Sequence, residues 1–241
     1  MDPFWRDPLV EACRKGNAKG AFAYLVFYNW ENDSDRKCLE ESLMAVCDSH
    51  RGSHEDKAQI ATMLINKGTD VDLLGRALLA ACRQWGCEEL ASLLLDRGAD
   101  PNYRSFGPPL VIVCRRDHPH AFARMLLDRG ADPCLCDDHG TTPMHLACSP
   151  RYGTVRKHVD LARLLLERGA GSTIYQKDRV GMTPLDRVQH PNGRLQWARM
   201  IALLRKHFTI VIRKCVIGGN AEHPSRNRMK HLAPRMASFL I

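Results

Sequence analysis

The chain has 241 residues, of which 44% are hydrophobic and 26% charged, a composition that excludes a disordered protein and predicts a buried core. No apolar run approaches the roughly 18 residues of a membrane-spanning helix, and the start MDPFWRD lacks the apolar segment of a secretory signal. Ten cysteines without such a signal predict reduced thiols in a cytoplasmic or nuclear protein.

The net charge of +8 is concentrated at the carboxyl end of the sequence. Residues 205–241 hold eight Lys or Arg and one acid, Glu222, whereas residues 1–204 hold 27 basic and 26 acidic residues, a net charge of only +1. So sharp a change predicts two parts, 1–204 and 205–241. A nucleic-acid partner is not expected for the basic tail, because it is rich in apolar residues and lacks an aromatic series for base stacking.

A repeat of 32 to 35 residues runs through the first part. Five cysteines follow one another at intervals of 34, 35, 32 and 34 residues: Cys13, Cys47, Cys82, Cys114 and Cys148. Because their spacing equals the repeat length, the five cysteines are predicted to occupy the equivalent position in five successive units. We expect each of them to be a small apolar residue buried in a helix.

A second recurring position lies downstream of the cysteines, at Gly68, Gly98, Gly130 and Gly169. The first unit has Asn29 there, and Asn is the usual substitute for Gly where φ is positive. The cysteine-to-glycine distance is 16 residues in the third and fourth units but 21 in the second and fifth. Two insertions, SHRGSHEDK at 49–57 and SPRYGTVRKH at 149–158, are therefore predicted to lengthen the turn between paired helices.

Each unit is predicted to form two short helices. In the fifth, Thr142 is expected as the N-cap and Pro143 as the first helical residue. The second helix is predicted over residues 159–167, with Gly169 ending it in a positive-φ conformation. Pro8 and Pro184 are predicted to begin the first and sixth units in the same way.

The segments TTPMHLAC, LARLLLERGA and two copies of LLDRGADP resemble the ankyrin repeat. The resemblance extends over about residues 7–204. It implies an all-α solenoid of about six stacked helix pairs, with hairpin loops projecting to one side, that binds a target protein and is not an enzyme. It also implies a structural role for His145, whose counterpart in the family bonds backbone of the neighbouring unit.

One cluster has metal-like spacing: Cys134, Cys136 and His139. A structural zinc site needs four ligands, and the only nearby candidates are Asp137 and Asp138, so loop residues without a metal are the favoured interpretation. The sequence shows no phosphate-binding glycine loop and no nucleophile elbow. No catalytic residue, cofactor or metal is predicted.

Target-binding residues are expected at the hairpin tips and in the second insertion, because Tyr and Arg are the residue types that anchor interfaces. The candidates at the tips are Tyr103, Arg104, Phe106 and Asp138, and those in the insertion are Arg151, Tyr152 and Arg156. The alternative for both insertions is a solvated extension, since surface loops are cheap to lengthen.

The tail resembles the suppressor-of-cytokine-signalling box (SOCS box). The first helix of that box is matched by a stripe at single-face helical spacing, Leu204, Phe208 and Ile212, with Phe208 where the family has cysteine. Its later segment is approximated by Leu232, Pro234, Met236 and Phe239.

Together with the repeats, this tail resembles the ankyrin-repeat and SOCS-box family. The resemblance implies a short helical box that binds Elongin B/C through the stripe and a cullin through the later segment, so that a captured protein is ubiquitinated. The alternative is a terminal capping helix with a basic segment that packs on the stack. The chain would then be a plain ankyrin binding or masking protein.

Overall fold

The structure is a computed structural model that describes residues 7–28, 33–84, 86–105, 107–117, 119–149, 155–189, 200 and 202–203. In these residues all regular structure is helical, as predicted, and no β-strand occurs. None of the described helices is long and apolar enough to cross a membrane. The predicted boundary near residue 205 lies outside the described residues.

The helices form five successive pairs and the beginning of a sixth. The pairs are α1 (Pro8–Lys15) and α2 (Ala18–Leu25), α3 (Asp33–Asp48) and α4 (His54–Ile65), α5 (Val71–Arg83) and α6 (Glu88–Asp96), α7 (Pro109–Cys114) and α8 (His120–Asp128), and α9 (Pro143–Ala147) and α10 (Val155–Glu167). A 3-10 helix over Ala170–Tyr175 and α11 (Pro184–Gln189) follow. The first helices pack in one row, α1 to α3, α5, α7, α9 and α11.

Local side-chain chemistry sets where the helices begin. Asp7 accepts a hydrogen bond from the Leu9 amide at 2.8 Å, directly before Pro8. Thr142 caps α9, with Pro143 at its first position, as the sequence predicts. Pro184 begins α11, as predicted, and this start is capped by reciprocal hydrogen bonds between Thr183 and Asp186. Each cap satisfies an amide that the helix itself leaves unpaired.

The five periodic cysteines form the centre of the stack, which confirms their predicted burial. Cys114 is 6% exposed and the other four are fully buried. Removal from water raises the pKa of Cys13, Cys114 and Cys148 to about 12 and raises the pKa of Cys47 and Cys82 as well. These thiols therefore remain protonated, and they pack as small apolar groups.

Arginines on the loops between units connect each pair to the preceding one. Arg97 donates to Asn66 at 2.9 Å, Arg129 pairs with Asp96 at 2.5 Å and Arg168 pairs with Asp128 at 2.6 Å. All three contacts are solvent-exposed, so each contributes only about 0.2–1 kcal/mol. Apolar burial, and not this series of pairs, holds the units together.

The two insertions lengthen the second helix of their unit more than the turn. Helices α4 and α10 have 12 and 13 residues, whereas α6 and α8 have 9. The predicted start of α10 at residue 159 was wrong, since the helix begins at Val155. Three of its four residues are Arg156, Lys157 and His158, and they follow a segment with Pro150 and Gly153, so the added turn reads as part of a loop.

The first insertion is also tied to the unit before it. Ser49 Oγ donates to the carbonyl of Arg14 at 2.7 Å, and the buried Lys57 Nζ donates to the carbonyl of Ser49 at 2.5 Å. Gly52 packs against Gly16, and a Cβ added to Gly16 would lie 2.5 Å from the Cα of Gly52. This turn is therefore a packed contact between two units and not only a solvated extension.

The recurring glycines end the second helices with positive φ, as predicted: Gly68 at 105°, Gly98 at 93°, Gly130 at 90° and Gly169 at 100°. A Cβ at any of these four would meet no atom within 4 Å, so conformation and not space demands glycine. Asn29, the predicted equivalent in the first unit, lies outside the described residues.

Gly98→Val is expected to lower the free energy of unfolding by about 1–3 kcal/mol, because a β-branched residue is strained at positive φ. The measurement is the urea midpoint followed by circular dichroism. Gly98→Asn is the control and should lose less, since Asn tolerates this region. An unchanged midpoint in Gly98→Val would contradict the repeat alignment.

Candidate functional site

His145 connects the fifth unit to the sixth. The Thr142 amide donates to Nδ1 of His145 at 3.2 Å, so the other ring nitrogen, Nε2, carries the proton and donates to the Met182 carbonyl at 3.1 Å. The ring is fully buried, and burial lowers the pKa of His145 and keeps it neutral. The predicted bond to backbone of the neighbouring unit is confirmed, and the ring has no free nitrogen for catalysis or a metal.

Two buried aspartates shape the last two described hairpins. Asp137 accepts from the amides of His139 and Thr141 at 2.8 and 2.9 Å. Asp178 accepts from the amides of Val180 and Met182, both at 2.9 Å. Arg115 pairs with Asp137, and Arg187 pairs with Asp178 at 2.5 Å. Both carboxylates are committed to holding the loops in one conformation.

The cluster with metal-like spacing does not assemble into a site. Cys134 Sγ lies 3.5 Å from Ser172 Oγ and 3.7 Å from the Gly169 carbonyl, which places it against the 3-10 helix of the next unit. Within the described ranges, no group of three or more His, Cys, Asp or Glu side chains is arranged to hold a metal ion.

Two of the predicted tip residues are held by contacts to neighbouring units. Tyr103 donates from its hydroxyl to Asp72 Oδ1 at 2.7 Å, which raises the pKa of the phenol, and its ring lies against Gly75 in α5. Arg104 is exposed and donates to the carbonyl of Cys136 at 2.9 Å. These contacts favour one orientation of each tip side chain in the free protein.

A comparison with protein families matches residues 77–106 and 139–179 to the ankyrin repeat. The chain contains ankyrin repeats. The crystal structure of EF0377, described as an ankyrin repeat protein, is similar over 83% of this chain and 98% of that chain, with a TM-score of 0.63 and 23% sequence identity. This likeness shows the fold. No curated protein matches the chain.

An ankyrin stack is a protein-interaction scaffold, and several of the candidate residues lie on its accessible surface. Asp138 is exposed at the hairpin tip of the fifth unit, and Arg156 is exposed in the first turn of α10. Phe106, Arg151 and Tyr152 lie outside the described residues. So do all seven residues predicted to contact Elongin B/C or a cullin: Leu204, Phe208, Ile212, Leu232, Pro234, Met236 and Phe239.

The sequence resemblance implies that the first helices present a binding face, but no residue on that face was predicted. Two residues before the periodic cysteine, Ala45, Ile112 and Leu146 are only partly buried on α3, α7 and α9, whereas the equivalent Ala80 on α5 is buried. Their common offset from the cysteine is a signal that could have been found, because the repeat places equivalent residues on one face.

A double-mutant cycle tests whether Tyr103 is held against α5. Ala normally stabilises a helix by about 0.5–1 kcal/mol relative to Gly. At Gly75, however, a Cβ would lie 2.3 Å from Tyr103 Cδ2, so Gly75→Ala is expected to destabilise the protein. In a Tyr103→Ala background the same change should stabilise it. The readout is the urea midpoint, and an equal effect in both backgrounds would contradict the contact.

Proposed function

We propose that this chain captures a target protein on the hairpin tips and first-helix face of its ankyrin stack. The observation that carries the proposal is the pair Tyr103 and Arg104, whose side chains are oriented by hydrogen bonds to Asp72 and to the Cys136 carbonyl. Tyr and Arg dominate binding energy at protein interfaces. Side chains that are already ordered lose less conformational entropy on binding.

The expected target-binding surface extends from these tips to Asp138 and along the partly exposed first-helix positions Ala45, Ile112 and Leu146. This surface combines apolar area with polar groups at its margin, the composition typical of protein interfaces.

Target capture is tested by comparing the proteins that co-purify with wild type, with Tyr103→Ala/Arg104→Ala and with the control Arg163→Ala, quantified by mass spectrometry. Arg163 is exposed on α10, a second helix outside the proposed surface. We expect specific partners to be lost in the double variant, since one interface anchor is worth about 2 kcal/mol or more, and to be retained in the control. Equal recovery from all three folded proteins would contradict the assignment of this surface.

We further propose that the chain is the substrate-recognition subunit of an Elongin B/C–cullin–RING ubiquitin ligase. The support is the sequence of the tail, in which Leu204, Phe208 and Ile212 follow one helical face and Leu232 and Pro234 approximate the cullin-contacting half of a SOCS box. An apolar stripe of this kind is the recognition mode of a helix that binds in a groove.

Purified Elongin B/C should bind the full-length chain, and Leu204→Ala/Phe208→Ala should abolish the binding without changing the thermal melt. Lys206→Ala/Ile210→Ala is the matched control, because it has the same i, i+4 spacing on the opposite helical face. Deleting residues 222–241 should weaken cullin recruitment more than elongin binding. If wild type does not bind Elongin B/C at tens of micromolar, the ligase link fails and the plain binding or masking protein stands.

A further inference from the structure

The positive charge of the repeat region is concentrated where paired helices meet. We define the turn edge as the described residues among the four that follow each of Cys13, Cys47, Cys82 and Cys114. It contains six basic residues, Arg14, Lys15, Arg51, Arg83, Arg115 and Arg116, and two acidic residues, Asp48 and Asp117, a net charge of +4. Four of the six basic residues pair with acids outside this set: Arg14 and Lys15 with Glu11, Arg115 with Asp137 and Arg116 with Glu88. The turn edge is therefore only weakly positive once these carboxylates are counted.

A cleft opens on the turn edge between the third and fourth units. It is lined by Cys82, Arg83, Ile112, Arg115 and Arg116. Three arginines thus surround a lining that also includes Cys82 and Ile112. A guanidinium fork matches the geometry of a carboxylate better than that of any neutral ligand.

The three arginines of this cleft differ in their contacts with the rest of the protein. Arg115 is oriented by the buried carboxylate of Asp137, and its side chain remains 49% exposed. Arg116 lies over the Phe122 ring, 5.4 Å from its centroid, and 3.9 Å from Glu88. Arg83 is exposed and makes neither a hydrogen bond nor an ion pair with the described residues. The cleft therefore offers one uncommitted guanidinium next to two that are already positioned.

The apolar side chain in the lining of the cleft, Ile112, favours a ligand that has aliphatic groups as well as negative charge. Ile112 belongs to the partly exposed first-helix face that also includes Ala45 and Leu146. A nucleic-acid backbone offers phosphates but no aliphatic side chain that could pack on Ile112. A peptide offers both carboxylates and aliphatic side chains.

We propose that the turn edge binds an acidic segment of the partner protein, whose carboxylates pair with Arg83 and Arg115 while an aliphatic side chain of the same segment packs on Ile112. This inference rests on the proposed capture of a protein target and adds the chemistry of the segment that is recognised. Ion pairs with exposed arginines are screened by salt, so the binding of the segment should weaken as the salt concentration is raised.

The probe is a fluorescein-labelled peptide of repeated Glu-Glu-Leu units, titrated with the full chain at low salt and followed by fluorescence anisotropy. Arg83→Gln should weaken binding about five- to tenfold, the loss expected for one charge-assisted bidentate contact. The control Arg163→Gln removes the same charge from an exposed position on α10 and should change the affinity less than about twofold. Peptides of Gln-Gln-Leu and Glu-Glu-Ser should both bind more weakly than the probe.

Three results would overturn the inference. Equal losses in Arg83→Gln and Arg163→Gln would indicate only general attraction between opposite charges. Stronger binding of a labelled oligothymidylate of equal charge, lost in Arg83→Gln, would assign the cleft to nucleic acid. If the peptide does not bind, while Tyr103→Ala/Arg104→Ala still loses co-purifying proteins, the acidic segment is wrong and the proposed capture of a target stands.

Discussion

Every other feature of this molecule depends on one constraint, which is that a helix pair buries its apolar face only against the pair beside it. The fully buried positions recur with the repeat, as at Cys47, Cys82 and Cys148, because each unit offers the next the same surface. A thiol suits this position because it is small, and burial keeps it protonated. Stability is therefore distributed along the stack and is not held in one central core.

The helices bury most of the apolar surface, and the loops between units are held mainly by hydrogen bonds and ion pairs. Asp137 and Asp178 each gather two backbone amides and one arginine, and His145 bonds the Met182 carbonyl across a unit boundary. A buried polar group is tolerated only when its hydrogen bonds are complete, so each of these contacts specifies a single loop conformation. The hairpin tip that carries Tyr103 and Arg104 is oriented in a similar way, by hydrogen bonds to Asp72 and to the Cys136 carbonyl.

The functional proposals follow from having two different edges on one rigid stack. One edge carries the oriented tips, and the other carries three arginines around a cleft whose lining includes Ile112. A partner that contacts both edges would gain orientation from the tips and salt-dependent ion pairs from the arginines. The same arginine, Arg115, bonds the hairpin aspartate Asp137 and lines the cleft, so the two edges are physically connected.

The sequence by itself determined the class of fold, the repeat, the buried cysteines, the helix starts at Pro8, Pro143 and Pro184 and the positive-φ glycines. Each of these features depends either on a local residue preference or on the repeat spacing, and both can be read from a single sequence. Only the tertiary structure decided that Tyr103 lies against Gly75, that Arg115 reaches Asp137 and that basic turns of successive units form one edge. These partners are 22 or more residues apart and meet only when units stack. The start of α10 at Val155 was missed because the three basic residues that follow Val155, next to Pro150 and Gly153, resemble a loop.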